Sequence, residues 1–428
     1  YIKLRRLLNW LEIDKNHIWH PYNALPSKTK ILPVKSTNNT SIFLKTGEEL
    51  IDAMSSWWSA IHGYNHPKLN EALKRQVEIM PHIMFGGLAH EQASLLSKKL
   101  VDLTGLNSVF LCDSGSVSVE VALKTAILYQ KAKGFKKYKF LALQNAYHGD
   151  TLGAMSVCDP QNSMHSIYGS YLSSNIFTKA PILGFNSDCF EAIEDLKRNL
   201  EKYHEEIAAF IVEPIVQGAG GMKIYNPTYL KKARELCTKY DILLIADEIA
   251  TGFGHTGKMF ACEWANIKPD IMTIGKGLTG GYMTMAAMLT SKNVSDVISN
   301  SDIGVLMHGP TFMANPLACS VANASIDLLL QSDWQSNVKK IEEIFAKELE
   351  NAKSIDLVKD VRNIGAIAVI ELVDDCYAQK IQDYCVSKGV WIRPFGKLVY
   401  SIVAYTIEEA NLRKIVKTMI DAIKSIEK

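Results

Sequence analysis

The feature that most constrains the fold is an alternation of short apolar runs with amphipathic helical segments in the middle of the chain. Ser108–Cys112 has the length and the apolar content of a buried strand. The segment after it repeats apolar residues at helical spacing up to Gly134. Further buried-strand candidates lie at residues 138–143, 207–212, 242–246, 271–274 and 283–289. This alternation predicts an α/β fold in which helices cover a mostly parallel sheet.

The last hundred residues have a different pattern. After about Leu330 the sequence predicts a charged amphipathic helix, strands near residues 367–372 and 390–392, and a final helix from Ile407. The 428 residues also exceed the usual size of a single hydrophobic core. We therefore expect a large α/β domain and a second, smaller α+β domain.

Charge and composition favour a small-molecule site. The chain has 47 Lys and Arg against 45 Asp and Glu, so no nucleic acid or anionic membrane is expected as a partner. No segment approaches eighteen uncharged apolar residues, and residues 1–6 mix charge into their apolar residues, unlike a signal peptide. The 8 cysteines are scattered without a C-x-x-C, which favours reduced thiols in a cytoplasmic protein.

Two neighbouring predicted strands end in a carboxylate and a lysine. Asp247 follows the strand at residues 242–246, and Lys276 follows the strand at residues 271–274. A lysine can form a Schiff base with an aldehyde cofactor, while an aspartate can keep a pyridine nitrogen protonated. The pair points to pyridoxal phosphate. These two segments alone leave a buried ion pair equally open.

Other unusual residues are predicted at the same sheet edge, where ligands bind in open α/β sheets. Gly115 and Ser116 open a helix, so they suit a phosphate, although an ordinary N-cap is as good an explanation in isolation. Tyr147 offers an aromatic face for a flat ring, with a core tyrosine as the alternative. Residues 308–311 add a hydroxyl and a turn, or form a plain loop. The conjunction of these segments favours one cofactor site.

Competing motifs have the wrong context. Residues 252–257 match G-x-G-x-x-G, but residues 247–251 intervene after the strand, whereas a dinucleotide fingerprint needs its first glycine at the strand-to-helix turn. The 11 histidines show no H-E-x-x-H or Cys/His cluster, so no metal site is predicted. No G-x-S-x-G follows a strand, which disfavours a serine hydrolase.

Together these residues resemble the class III, fold type I pyridoxal-phosphate aminotransferases over nearly the whole chain. The family motifs are Asp-Glu-Ile at 247–249, Gly-Phe-Gly at 252–254 and Ile-Gly-Lys-Gly at 274–277. Further blocks are most similar to the branch of the family that acts in biotin biosynthesis. They are Ile-Trp-His-Pro-Tyr at 18–22, Ser-Ser-Trp-Trp at 55–58, Cys-Asp-Ser-Gly-Ser-Val at 112–117, Met-Ser-Val-Cys-Asp-Pro at 155–160 and Met-His-Gly-Pro-Thr-Phe-Met at 307–313.

The resemblance implies roles for the matched positions. Lys276 would bond covalently to the cofactor, Asp247 would pair with its pyridine nitrogen, and Tyr147 would stack on its ring. Gly115 and Ser116 would bind the phosphate. Pro310 would also contact the cofactor, and Thr311 would join the phosphate site from the neighbouring subunit, which implies a homodimer. Residues 61–330 would form the large cofactor-binding domain and residues 331–428 the small domain, to which residues 1–60 contribute along with the substrate pocket.

The resemblance also implies a substrate pocket of Tyr22, Trp57, Trp58, Gly309 and Arg393. The guanidinium group of Arg393 suits a carboxylate because of its paired donors. A structural ion pair for Arg393 and core packing for the tryptophans are the alternatives.

The chain departs from the family at one position near this pocket. The family usually has Gly-Phe-Gly-Arg-Thr-Gly, whereas this chain has His255 in place of the arginine. In the biotin branch that arginine lies near the substrate, so the way in which the substrate carboxylate is oriented stays open.

The implied reaction is ping-pong transfer of the amino group of S-adenosylmethionine to 8-amino-7-oxononanoate through pyridoxamine phosphate, giving 7,8-diaminononanoate. An ornithine- or aminobutyrate-type aminotransferase is the alternative within the family. A non-catalytic protein of the same fold should lack Lys276 or Asp247, and both are present. A nicotinamide-dependent oxidoreductase would instead bind its cofactor at residues 252–257.

Overall fold

The structure is a computed structural model that describes residues 10–161, 165–375 and 377–426. Residues 1–6, for which the sequence argues against a signal peptide, and Cys376 lie outside the described residues. The α-helices are α1 (Trp10–His17), α2 (Pro67–Ile79), α3 (Glu91–Thr104), α4 (Gly115–Ala132), α5 (Leu152–Ser156), α6 (Phe190–Tyr203), α7 (Pro227–Lys239), α8 (Lys292–Ser299), α9 (Pro316–Gln331), α10 (Trp334–Leu349), α11 (Ala378–Ser387) and α12 (Glu409–Ile426). Short 3₁₀ helices lie at Ser166–Tyr168, Ala261–Ala265, Lys276–Thr279 and Glu350–Ala352.

The strands belong to four sheets. They are β1 (Val34–Asn38), β2 (Ser41–Leu44), β3 (Glu49–Asp52), β4 (Ser108–Cys112), β5 (Lys139–Leu143), β6 (Ile176–Thr178), β7 (Ile207–Val212), β8 (Val216–Gln217), β9 (Lys223–Ile224), β10 (Leu243–Asp247), β11 (Ile271–Ile274), β12 (Ala286–Thr290), β13 (Val358–Ile364), β14 (Ile367–Leu372), β15 (Val390–Trp391) and β16 (Leu398–Ile402). The sheet orders are β1-β2-β3-β15, β4-β12-β11-β10-β7-β5-β6, β13-β14-β16 and β8-β9.

The seven-stranded sheet confirms the mostly parallel sheet that the alternating pattern predicts. Its only antiparallel strand among the described residues is β12, which pairs with β11 on one side and with β4 on the other. All of β7, β10 and β11 is buried, as expected for strands that helices cover on both faces. The predicted strand at residues 283–289 in fact begins at Ala286, because the Thr279 hydroxyl donates to the Met283 carbonyl at 2.6 Å and holds a turn there.

Helix α7 shows how local sequence sets an element of this domain. The Asn226 side chain accepts a hydrogen bond from the Thr228 N–H at 2.9 Å, and Pro227 occupies the first turn, where its missing N–H costs nothing. One face of the helix buries Tyr229, Leu230 and Ala233 against the large sheet's core.

The sheet geometry brings Asp247 and Lys276 to the same edge. β10 and β11 pair in parallel with Asp247 opposite Thr273, so their carboxyl ends lie side by side. Asp247 is the last residue of β10, and Lys276 begins the 3₁₀ helix shortly after β11. β4 ends at this edge too and leads into α4.

The N-terminal strands join the C-terminal part of the chain. β3 pairs in parallel with β15, with Ile51 opposite Val390 and Asp52 opposite Trp391. The predicted strands at 367–372 and 390–392 are confirmed as β14 and β15, and the final helix begins at Glu409. The division into residues 1–60, 61–330 and 331–428 stays a proposal, which the pairing of β3 with β15 supports. Within the described part of the chain, none of the helices combines the length and the apolar character needed to span a bilayer.

Candidate active site

A cavity of about 570 Å³ opens at the carboxyl ends of β10 and β11. It brings together residues that are far apart in the sequence. Those predicted for the site and found in its wall are Tyr22, Trp57, Trp58, Gly115, Ser116, Tyr147, Asp247, Lys276 and Arg393. Gly309, Pro310 and Thr311 are not part of this wall. They lie in the segment before α9, where Thr311 is exposed and the space around Gly309 is open.

The side chain of Lys276 lines the cavity. Its ammonium nitrogen lies 5.4 Å from the centroid of the Trp58 ring. Burial lowers the pKa of Lys276, while the nearby Asp247 and Glu213 carboxylates oppose that shift. A lowered pKa favours the neutral amine, which is the form that acts as a base or a nucleophile.

Asp247 is a buried carboxylate whose oxygens are held by three groups. Its Oδ2 lies 2.7 Å from Nδ1 of His148, and its Oδ1 accepts from the Thr273 hydroxyl and the Ile249 N–H, both at 3.1 Å. These contacts leave Asp247 in the cavity wall with a fixed orientation. A fixed carboxylate is what a protonated pyridine nitrogen requires as a partner.

His148 and Glu213 line the same cavity, although the sequence suggested no role for them. The His148 ring is buried against Asp247. Glu213 accepts from the Tyr147 N–H at 3.1 Å and the Gly218 N–H at 2.9 Å. Burial raises the pKa of Glu213 to about 7, against the opposing effect of His148. The position of His148 directly after Tyr147 was visible in the sequence, but its pairing with a strand 99 residues away was not.

Tyr147 belongs to a polar network at the cavity mouth. Its hydroxyl donates to Oδ1 of Asp150 at 2.9 Å, and the Tyr22 hydroxyl donates to Oδ2 of the same carboxylate at 3.2 Å. The Tyr147 ring stacks on His165 with centroids 5.7 Å apart. Burial raises the pKa of Tyr147, so its hydroxyl stays a hydrogen-bond donor at neutral pH. Asp150 therefore sets the position of both tyrosines.

The first turn of α4 faces the cavity through Gly115 and Ser116. Free backbone N–H groups and the helix dipole make such a turn suitable for a phosphate. The Ser116 hydroxyl accepts from the Asp150 N–H at 3.0 Å. Gly149 packs closely here, since a Cβ on it would lie 2.2 Å from the Ser116 hydroxyl oxygen. Residue 149 must therefore be glycine for the chain to approach Ser116 this closely.

Trp57 and Trp58 come from an unusual turn. Ser55–Trp58 has positive φ angles at every residue, 44°, 46°, 54° and 77° in order. The left-handed conformation costs roughly 1–2 kcal/mol per L-residue, so this turn is strained. Trp57 remains 41% exposed at the cavity rim, and Trp58 is buried against His255 with ring centroids 5.4 Å apart.

Arg393 lies at the cavity rim beside Trp57. Its guanidinium carbon is 5.7 Å from the Trp57 centroid, and one nitrogen lies 3.5 Å from the Pro21 carbonyl, at the limit of a hydrogen bond. No carboxylate pairs with it among the described residues. The alternative explanation of Arg393, a structural ion pair, is therefore not found among the residues that the structure describes. Arg393 thus offers its donors to a ligand.

His255, which replaces the usual arginine, is not in the cavity wall. It lies behind Trp58, with Nδ1 2.9 Å from the Gly252 carbonyl and its ring 5.8 Å from that of Tyr405. Burial lowers its pKa to about 4, with Lys276 acting in the same direction. A neutral histidine in this place supplies neither the charge nor the paired donors of an arginine.

The groups in the cavity fit pyridoxal phosphate. A lysine amine, an oriented carboxylate, a tyrosine ring and the first turn of a helix are the partners that its aldehyde, pyridine nitrogen, ring and phosphate require. Gly149 fits this arrangement, because a Cβ on it would collide with Ser116 at the start of α4. The described residues hold no group of three or more His, Cys, Asp or Glu side chains arranged for a metal ion.

Comparison with known proteins gives a consistent picture. The family model "Aminotransferase class-III" matches residues 22–423. The adenosylmethionine-8-amino-7-oxononanoate aminotransferase of Buchnera aphidicola subsp. Baizongia pistaciae is 48% identical over 97% of both chains. The crystal structure of the protein of that name from Methanocaldococcus jannaschii aligns with a TM-score of 0.91 at 31% identity, covering 97% of this chain and 98% of that chain. A PLP-bound amine transaminase from an uncultivated Pseudomonas species aligns with a TM-score of 0.91 at 28% identity, covering 96% and 99%.

Proposed function

Because this chain belongs to the class-III aminotransferases, we propose that it transfers the amino group of S-adenosylmethionine to 8-amino-7-oxononanoate in biotin biosynthesis. Membership makes it a pyridoxal-phosphate-dependent aminotransferase of fold type I. The observation that carries the substrate assignment is its 48% identity, over 97% of both chains, to a protein named for that pair of substrates.

The cofactor site is assigned residue by residue. We assign Lys276 to the covalent bond with the cofactor, Asp247 to the pyridine nitrogen and Tyr147 to the ring face, with Gly115 and Ser116 at the phosphate. When bound, pyridoxal phosphate supplies an aldehyde that bonds reversibly to amines and a ring that withdraws electrons from the substrate carbon. His148 and Thr273 support this arrangement because they hold the two oxygens of Asp247.

Lys276 is assigned the proton transfers of both half-reactions. Its lowered pKa supports this role, because an amine must be neutral to take a proton from carbon near neutral pH. Trp58 closes the cavity on one side of the amine and keeps bulk water away. Asp247 and Glu213 provide compensating negative charge when the amine becomes protonated.

The substrate pocket is assigned to Tyr22, Trp57, Trp58 and Arg393. The acceptor carries a carboxylate at one end of an aliphatic chain and its reacting ketone towards the other. Arg393 at the rim and Lys276 in the cavity supply the two polar ends, with the indole rings between them. The free donors of Arg393 support its assignment to the carboxylate.

The working unit is proposed to be a homodimer in which Gly309, Pro310 and Thr311 serve the other subunit. Two observations support this. These residues are absent from the cavity wall of their own subunit, and the segment exposes large apolar side chains, with Met307 at 70% and Phe312 at 58%. Exposed apolar side chains that form a contiguous patch mark surfaces that another chain covers. We also propose a cytoplasmic location, which the scattered cysteines predict.

The substrate assignment is tested by a donor panel. Purified protein loaded with pyridoxal phosphate is given 8-amino-7-oxononanoate with S-adenosylmethionine, ornithine, 4-aminobutyrate or alanine, and 7,8-diaminononanoate is measured by mass spectrometry. We expect S-adenosylmethionine to be the best donor. Product formation from ornithine or aminobutyrate at a higher kcat/KM, or amino transfer to 2-oxoglutarate in preference to the oxononanoate, would assign the chain to the other branch of the family.

A further inference from the structure

The turn that carries Trp57 and Trp58 needs contacts with the surrounding structure to stabilise its backbone conformation. Ser55–Trp58 contains no glycine, yet all four residues have positive φ angles. L-residues avoid this region because Cβ approaches the following carbonyl oxygen. Such conformations persist only where the surrounding structure determines them, and they cluster at functional sites.

Asp52 and Tyr64 supply that restraint, and we name this pair the turn clamp. Asp52 is 4% exposed, and its Oδ1 accepts from the Met54 N–H at 2.8 Å. Its Oδ2 accepts from the Ser56 N–H at 3.3 Å and from the Tyr64 hydroxyl at 2.6 Å. The Ser56 hydroxyl lies 2.6 Å from the same Tyr64 oxygen. Since that oxygen donates to Asp52, Ser56 is the donor to Tyr64.

The turn clamp is also connected to the strand that leads to Arg393. Asp52 lies opposite Trp391 in the parallel pair of β3 and β15, and the Ala53 N–H donates to the Trp391 carbonyl at 3.0 Å. Arg393 follows two residues later, with its guanidinium carbon 5.7 Å from the Trp57 centroid. The buried carboxylate of Asp52 therefore connects the turn that carries Trp57 with β15, the strand that precedes Arg393.

We propose that Asp52 and Tyr64 are positioning residues that fix the distance of the tryptophan wall from Lys276 and Arg393, and so set which substrates the cavity accepts. Neither residue lines the cavity. The inference rests on the proposed function only for the choice of substrates with which it is measured.

The test is Tyr64→Phe, which removes one hydroxyl and keeps the ring. The matched control is Tyr282→Phe, because the Tyr282 hydroxyl donates to Oδ1 of Asn70 at 2.9 Å, away from the cavity. We expect Tyr64→Phe to lower kcat/KM for 8-amino-7-oxononanoate by about tenfold, as for the loss of one hydrogen bond to a charged group. The change should appear mainly as a raised KM, with an altered tryptophan signal in near-UV circular dichroism. Tyr282→Phe should leave all of these unchanged.

A second variant separates positioning from general destabilisation. The Ser55 hydroxyl is buried with no hydrogen-bond partner among the described residues, and glycine adopts positive φ without strain. Ser55→Gly added to Tyr64→Phe should therefore restore most of the lost kcat/KM, since the turn no longer needs the full restraint. Equal kinetics for Tyr64→Phe and Tyr282→Phe, or no restoration by Ser55→Gly, would overturn the proposal.

The activity of the wild-type enzyme distinguishes failure of the turn-clamp proposal from failure of the proposed function. If the wild type does not transfer an amino group between the two substrates, the proposed function is wrong. The turn clamp is then tested by near-UV circular dichroism of the cofactor-loaded variants alone. An unchanged tryptophan signal in Tyr64→Phe relative to Tyr282→Phe would overturn it there as well.

Discussion

Replacing Arg393 with alanine tests the assignment of the substrate pocket most directly. The structure predicts a small effect on folding, because the guanidinium group has only a long contact to the Pro21 carbonyl and a rim contact with Trp57. A cation–π contact at an exposed site is worth about 0.5–1 kcal/mol. The main loss should therefore be in binding the acceptor.

The size of that loss follows from the chemistry of the contact. A hydrogen bond to a charged group contributes about 1.5–3 kcal/mol. At about 1.4 kcal/mol for each factor of ten, kcat/KM for 8-amino-7-oxononanoate should fall roughly 10- to 150-fold. His255 should not compensate, since it lies behind Trp58 and burial lowers its pKa to about 4.

The assay is single-turnover kinetics of the two half-reactions, followed by the absorbance of the cofactor. We expect the acceptor half-reaction to slow and the S-adenosylmethionine half-reaction to change less, because the adenosyl group offers binding surface independent of Arg393. Arg393→Lys should recover part of the loss, since it keeps the charge without the paired donors. Arg198→Ala, which removes an exposed charge on α6, is the control. Unchanged acceptor kinetics with a slowed donor half-reaction would mean that Arg393 serves the other substrate.

Three other variants test the cofactor site and its completion. Lys276→Ala should bind the cofactor without the covalent bond and lose nearly all turnover, measured by borohydride labelling and activity; wild-type activity would disprove its role. Asp247→Asn should keep the fold and slow both half-reactions by orders of magnitude, and unchanged stopped-flow rates would assign the ring nitrogen to another residue. Thr311→Glu should repel the phosphate; mixing it with Lys276→Ala and refolding should restore activity only if Thr311 serves the partner's site.

The part of the site that the sequence predicts well lies at the ends of strands. β10 and β11 are short, mostly apolar runs bounded by polar residues, so their length and composition locate Asp247 and Lys276 near the strand ends. Strands of mixed composition lack such an apolar run, so the sequence does not reveal them. β13 contains Lys359, Asp360, Arg362 and Asn363. The buried Arg362 is satisfied only in the folded protein, where Asp360 and Glu371 pair with it and the carbonyls of residues 221 and 222 accept from it.

The turn at Ser55–Trp58 shows a different limit. Its sequence has none of the glycine or asparagine that normally signals positive φ, so local propensity points away from the observed conformation. The restraint comes from Asp52, three residues before the turn, and from Tyr64, six residues after it. Residue propensity fails here because hydrogen bonds from side chains outside the turn determine its backbone conformation, as expected at a functional site.

Under the proposed function, the exchange of arginine for His255 concentrates recognition of the acceptor carboxylate on one residue. Among the described residues that line the cavity, the charged or titratable side chains besides tyrosine are Asp150, Glu213, Asp247, His148, Lys276 and Arg393. Lys276 is deep in the cavity and has a lowered pKa, and His148 is occupied with Asp247. Arg393 is thus the one permanent cation in that wall. A neutral ring behind Trp58 at position 255 leaves no second cation in the described cavity wall to share a carboxylate. The proposed function therefore predicts that acceptor binding depends on the placement of Arg393 against Trp57, and so on the pairing of β3 with β15 and on the turn that follows β3.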